Sequence, residues 1–236
     1  MLSWQNFWAT DPKLFGIVMK KSTDYFAEHL IATKLVGTED KVLDFGCGPG
    51  YLAERLVHKV SSYLGVDISP AYIATCTAKF KEEKNIRFFL LQETDKSFGL
   101  LEAGLPEKSF DLIIILSVVQ YFADRNSVLE LLKSCKSLLN KNGKIILADT
   151  IDSNDSLIKD VISVLLNSIR KKYFIAFLRF MYQARFSSYN QLRKNNHLLC
   201  LTEQEISEIC ASLGLRYHIL TGCTLHAGRV TYCITT

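Results

Sequence analysis

Apolar residues in this chain follow two rhythms. Short runs at Lys41–Phe45, Tyr63–Ile68, Ile86–Leu91, Phe110–Leu116 and Lys144–Asp149 read as buried strands. Between them, Leu52, Ala53, Leu56, Val57 and Val60, and later Val128, Leu131, Leu132, Cys135, Leu138 and Leu139, recur at helical spacing. Ser69 is placed to cap a helix that has Pro70 at its first position, and Asp124 to cap another. Residues 96–109, broken by Gly99, Gly104 and Pro106, predict a loop or short helix, and Asn142-Gly143 predicts a turn. Near the end, Thr202 and Glu205 form a capping box flanked by a Leu201–Ile206 staple, and the helix they start should stop at Gly214. Arg216–Leu220 and Arg229–Thr235 read as closing strands. Such alternation predicts an α/β fold with a mostly parallel, doubly wound sheet.

Two stretches depart from the alternation. Residues 1–36 look helical, with Trp4, Phe7, Trp8 and Phe15 ahead of Tyr25, Phe26, Leu30 and Ile31. They suit a helix packed on the sheet's edge, or a segment whose Trp4, Phe7 or Trp8 folds over a binding site. From Ser153 to Leu199 there is no Gly or Pro, and Ile162, Leu166, Ile169, Tyr173, Phe177 and Phe180 recur at helical spacing. One or two amphipathic helices inserted after the fifth strand are expected. The chain therefore divides as one domain: an N-terminal helical segment (1–36), a core (41–150), an insertion (153–199) and a closing helix and strands (200–236).

Composition sharpens this picture in three ways. A hydrophobic fraction of 48% over 236 residues supports a packed core rather than disorder. No apolar run reaches the roughly 18 residues that span a bilayer, and the N-terminus lacks a signal-peptide layout. Seven cysteines without a Cys-x-x-Cys pair point to a reducing, cytoplasmic setting. The net charge of +4 is local: seven cations and no acid lie between Val161 and Thr202, and acids outnumber cations elsewhere.

The chemistry centres on Val42–Tyr51, where an apolar run ends at Asp44 and glycines follow at 46, 48 and 50. A strand turning into a helix through glycines exposes backbone N–H groups to a ligand. A dinucleotide fingerprint wants a small residue where Tyr51 stands, and Asp44 would repel a pyrophosphate but suits an ammonium group. Asp67 follows Gly46 by about 20 residues, the spacing at which a strand-tip acid meets ribose hydroxyls. The pattern Asp-x-Gly-x-Gly-x-Gly resembles the first motif of the class I S-adenosylmethionine-dependent methyltransferases. The resemblance implies a Rossmann-like sheet of seven strands with the last antiparallel, and a loop cradling the methionine part of S-adenosyl-L-methionine. It also implies a polar residue after the third strand, among Gln92, Glu93 and Thr94, against the adenine. Cofactor contacts are then expected from Asp44, Gly46, Cys47, Gly48, Asp67, Ile68, Leu116 and Ser117 as well, with Cys47 a small filler rather than a nucleophile. Gln120-Tyr121 departs from the family, many members of which carry histidine there.

A general base is left open among His197, His218, His226, Tyr121 and Asp149. His197-x-x-Cys200 and Cys223-x-x-His226 are weak halves of a metal site, and no metal is expected. No Asn-Pro-Pro-Tyr-like motif or Pro-Cys pair follows the fourth strand, which argues against nucleobase chemistry. Residues 153–199 suit a mobile helical lid for a hydrophobic, small-molecule acceptor with an anionic group, or a face for an anionic membrane surface. An RNA methyltransferase gripping phosphates through that segment, and a catalytically silent partner subunit, are the rival readings. Oligomeric state is open.

Overall fold

The computed structural model describes residues 7–8, 16–91, 100, 105, 107–152, 157–170, 173–185 and 197–236. Trp4, Phe15 and the adenine candidates Gln92, Glu93 and Thr94 lie outside them. Seven strands form one sheet in the order β3-β2-β1-β4-β5-β7-β6. They are β1 (Lys41–Phe45), β2 (Ser62–Asp67), β3 (Ile86–Leu90), β4 (Phe110–Leu116), β5 (Leu139–Ile151), β6 (Arg216–Leu220) and β7 (Arg229–Thr235). The first five pair in parallel, and β7 runs antiparallel to both its neighbours. The expected antiparallel last strand is present.

Period-two alternation in the central strands separates two cores. Leu43, Phe45, Ile113, Ile115, Ile145 and Leu147 face one side, against helix α4 (Arg125–Leu138) and helix α7 (Glu203–Ser212). Val42, Leu112, Ile114, Ile146 and Ala148 face the other, against helix α1 (Gly16–Ala32) and helix α2 (Tyr51–Leu56). Helix α1 therefore covers a sheet face through fully buried Phe26, Ala27 and Leu30, instead of an edge. Helix α3 (Pro70–Lys79) starts at Ser69, which accepts from the Tyr72 N–H at 3.4 Å. Asp124 caps α4, accepting from the Ser127 N–H at 2.9 Å, and both bonds of the Thr202–Glu205 capping box form.

One further expectation needs correction. Strand β5 begins at Leu139, five residues before the predicted Lys144, because Asn142 takes a left-handed φ of 67° and is absorbed without ending the strand. The pairing with β4 shifts between Phe110 and Leu112, as a bulge requires. In the insertion, two helices form as expected, helix α5 (Leu157–Arg170) and helix α6 (Phe174–Arg185), and their apolar positions divide between buried and exposed. Tyr173 and Phe177 are buried, whereas Ile162, Leu166 and Ile169 are about half exposed. The inward side of α5 is Asp160, Val164 and Ser168, since an ion pair from Asp160 fixes the helix's rotation. No helix among the described residues is long and apolar enough to cross a membrane.

Candidate active site

The carboxyl ends of β1, β2, β4 and β5 converge, and the chain's special backbone conformations gather there. Gly46, Gly48 and Gly50 have φ of 79°, 53° and 78°. Gly46 has a second reason to lack a side chain, because a Cβ would collide with Val118 Cγ2 just past β4. The loop is tied to β2: the N–H groups of Gly46 and Cys47 donate to Val66 O at 2.8 and 3.0 Å. Asp67 completes the clamp, its carboxylate accepting from Gly48 N–H at 2.9 Å and Ser69 N–H at 2.8 Å. Burial pushes the Asp67 carboxyl up, against the lowering pull of the N–H groups of Ser69, Gly48 and Ile68. Each carboxylate oxygen keeps a lone pair, so Asp67 can hold the loop and still accept from a ribose.

Asp44 is only 2% exposed and accepts a hydrogen bond from the Tyr63 hydroxyl on β2. Burial raises its pKa to about 7, the Tyr63 bond lowering it and Asp67 raising it further. A carboxylate so poised gains most from a nearby cation. Tyr63 was not legible as a site residue, because a tyrosine in an apolar strand looks like any core aromatic. Cys47 fills space beneath the loop, and its bond with Cys76, then burial, hold it as a neutral thiol. Ile68 packs against one core and Leu116 against the other.

The tips of β4 and β5 carry the second constellation. Ser117 and Asp149 both have left-handed φ, 57° and 62°, a conformation that costs a non-glycine residue about 1–2 kcal/mol. Asp149 sits where the β5–β7 pairing shifts register. It accepts from Ser117 Oγ at 2.5 Å, and its other oxygen lies 3.0 Å from His226 Nδ1. Burial alone would raise the Asp149 pKa, but the charge and bond of His226, then Arg229 and Ser117, bring it below the usual value. For His226, burial lowers the pKa and the Asp149 carboxylate more than reverses this, so the net shift is upward. The His226 side chain is 23% exposed and borders a cleft shared with Asp152, Thr224 and Arg229. Among the described residues no hydrogen bond engages its Nε2.

Helix α5 braces this group. Asp160 accepts from Arg229 Nε at 2.8 Å and from Gly228 N–H at 2.9 Å, and Ser163 Oγ accepts from Ala227 N–H at 3.1 Å. An aromatic cluster lies alongside: Phe7 and Trp8 pack with Met19 of α1, Tyr121 past β4, Phe180 of α6 and Leu198. The Trp8 and Tyr121 rings stand 5.3 Å apart, and Met19 Cε lies 3.8 Å from the position a Gly48 Cβ would take. Met19, which packs with the N-terminal aromatics, thus reaches the glycine loop.

Of the base candidates, Asp149 and His226 come together, and Tyr121 joins the aromatic wall. His197 is exposed, and His218 points to solvent from edge strand β6, so neither is held in the cluster. The Cys/His half-motifs assemble no group of three or more ligating side chains among the described residues.

A family model for a methyltransferase domain matches residues 43–145. The ubiquinone biosynthesis O-methyltransferase of Histophilus somni (strain 2336) is 32% identical over 108 residues, covering 45% of this chain and 43% of that protein. The malonyl-(acyl-carrier protein) O-methyltransferase of Paenibacillus sp. (strain JDR-2) is 34% identical over 100 residues, covering 41% and 34%. The chain thus spans less than half the length of either relative. Its fold is shared with magnesium protoporphyrin IX methyltransferase from Synechocystis PCC 6803, at a TM-score of 0.57, 16% identity and coverage of 99% and 92%. A SAM-dependent methyltransferase of Leishmania major superposes at 0.61, with 14% identity and coverage of 98% and 80%. The glycine loop and the acids at the tips of β1 and β2 lie within the matched residues, so residues 43–145 match a methyltransferase domain, and the chain is similar there to the class I S-adenosylmethionine-dependent methyltransferases.

Proposed function

We propose that the protein transfers a methyl group to an oxygen of a small, largely apolar acceptor. The observation that carries this reading is the Ser117–Asp149–His226 cluster at the tips of β4 and β5. The O-methyltransferases among its relatives support it. The residues present fit the cofactor: Asp44 would meet its ammonium, the backbone of Gly46 and Gly48 its methionine part, and Asp67 its ribose. When bound, S-adenosylmethionine supplies a methyl group on a sulfonium, which leaves as a neutral thioether.

This chain's own residues do the rest. Trp8, Tyr121 and Phe180 exclude water and hold an apolar acceptor beside the loop. Asp149 fixes the His226 ring through Nδ1, which directs Nε2 to take the proton of the acceptor hydroxyl as its oxygen bonds the methyl. Asp149 stays ionised and stabilises the imidazolium that results.

Because only the neutral imidazole accepts a proton, turnover should rise with pH through a His226 pKa above its ordinary 6.5. His226→Gln should lower kcat by about 10²–10⁴-fold, leave cofactor affinity intact and remove that limb of the pH profile. Labelled cofactor offered to a panel of phenols, carboxylic acids and RNA provides the test. An unchanged pH profile in His226→Gln removes the base, turnover on RNA alone overturns the acceptor class, and cofactor binding without turnover on any of them favours a silent subunit.

A further inference from the structure

We infer that the outer face of α5 and α6 docks on an anionic lipid surface. On α5, Ile162, Leu166 and Ile169 repeat at i, i+4 and i+7 and are 49%, 50% and 55% exposed. On α6, Ile175, Leu178 and Tyr182 repeat at i, i+3 and i+7, at 82%, 48% and 71%. Exposed apolar residues aligned along one face of a helix point to an interaction surface more than scattered ones do. Each helix already has a different buried face, Val164 and Ser168 on one and Phe177 on the other, so the core does not need the outer one.

Charge selects the occupant. Val161–Thr202 holds seven cations and no acid, and Arg170 and Arg179 are exposed on these two helices. Exposed apolar side chains with exposed arginines on the same helices match the acyl–headgroup boundary of an anionic bilayer. A symmetric second copy would bring cations against cations, which disfavours that occupant. The inner faces give the docking a purpose: Phe180 of α6 joins the aromatic wall, and Asp160 of α5 holds the loop that carries His226. A lipid-dissolved acceptor would then reach the site without crossing water.

The inference stands apart from methyl transfer, because vesicle binding is read without turnover. The full chain should cosediment with vesicles of phosphatidylcholine and phosphatidylglycerol, but not with phosphatidylcholine alone, and added salt should release it. Ile175→Glu with Leu178→Glu should weaken binding at least about tenfold, as should Arg170→Gln with Arg179→Gln. Both double variants should keep the wild-type melting temperature and S-adenosylhomocysteine affinity. Equal binding to neutral and anionic vesicles, or none to either, overturns the inference. So does a dimer that Leu178→Glu dissociates, which would assign the face to a second copy.

Discussion

Asp44 and Asp67 sit at adjacent strand tips yet face opposite demands. Asp67 gains from three backbone N–H groups, while Asp44 is buried with one phenol against it. In the unfolded chain Asp44 ionises near its ordinary 3.8, but when folded only near 7, so its contribution to stability is lost as pH rises between these values. Asp44→Asn is immune to this. Its stability relative to wild type should therefore grow from pH 4 to pH 7, by on the order of 4 kcal/mol, in parallel urea titrations. If Asp44 meets the cofactor's ammonium as proposed, cofactor affinity should move the other way in wild type, falling up to tenfold per pH unit below about 7 as its carboxylate is protonated. A difference between the two proteins that is flat with pH would show that Asp44 is ionised throughout. Asp67→Ala removes a loop clamp and the acceptors proposed for ribose, so cofactor affinity measured by calorimetry should drop at least about tenfold.

At the scale of elements, single substitutions test how the glycine loop and α5 are held. Gly46→Ala meets both a positive φ and Val118, and should cost about 2–4 kcal/mol. Adding Val118→Ala should restore part of that loss, since the collision goes but the φ penalty stays; no recovery in chemical denaturation would mean that strain alone decides. Asp160→Ala leaves Arg229 mostly buried without its carboxylate, which should destabilise by about 3 kcal/mol. It should also speed amide exchange in α5 and in the loop bearing His226. Whether residues 153–199 work as a lid is read by the same method: amides of α5 and α6 should exchange faster than those of β5 and slow when cofactor and acceptor are both bound.

At the scale of the whole molecule, a ligand that binds only the folded state raises its stability, by about 2.7 kcal/mol at a hundredfold excess over Kd. S-adenosylhomocysteine should raise the melting temperature by several degrees and NAD should not; the reverse would contradict the glycine-loop reading. Much of this was written in local pattern. Runs ending in Asp44 and Asp67, the caps at Ser69, Asp124 and Thr202, and both closing strands follow from short-range rules of burial, φ and hydrogen bonding. Such rules act within a few residues, so one sequence suffices to read them. The Tyr63–Asp44 bond, the Ser117–Asp149–His226 cluster and the Asp160–Arg229 pair were not legible, since each joins residues brought together only by strand order and crossover. Periodicity likewise marked the apolar residues of α5 and α6 without saying which would be buried. That was decided by what the sheet had left to cover, and by an ion pair that turned Ile162, Leu166 and Ile169 outward.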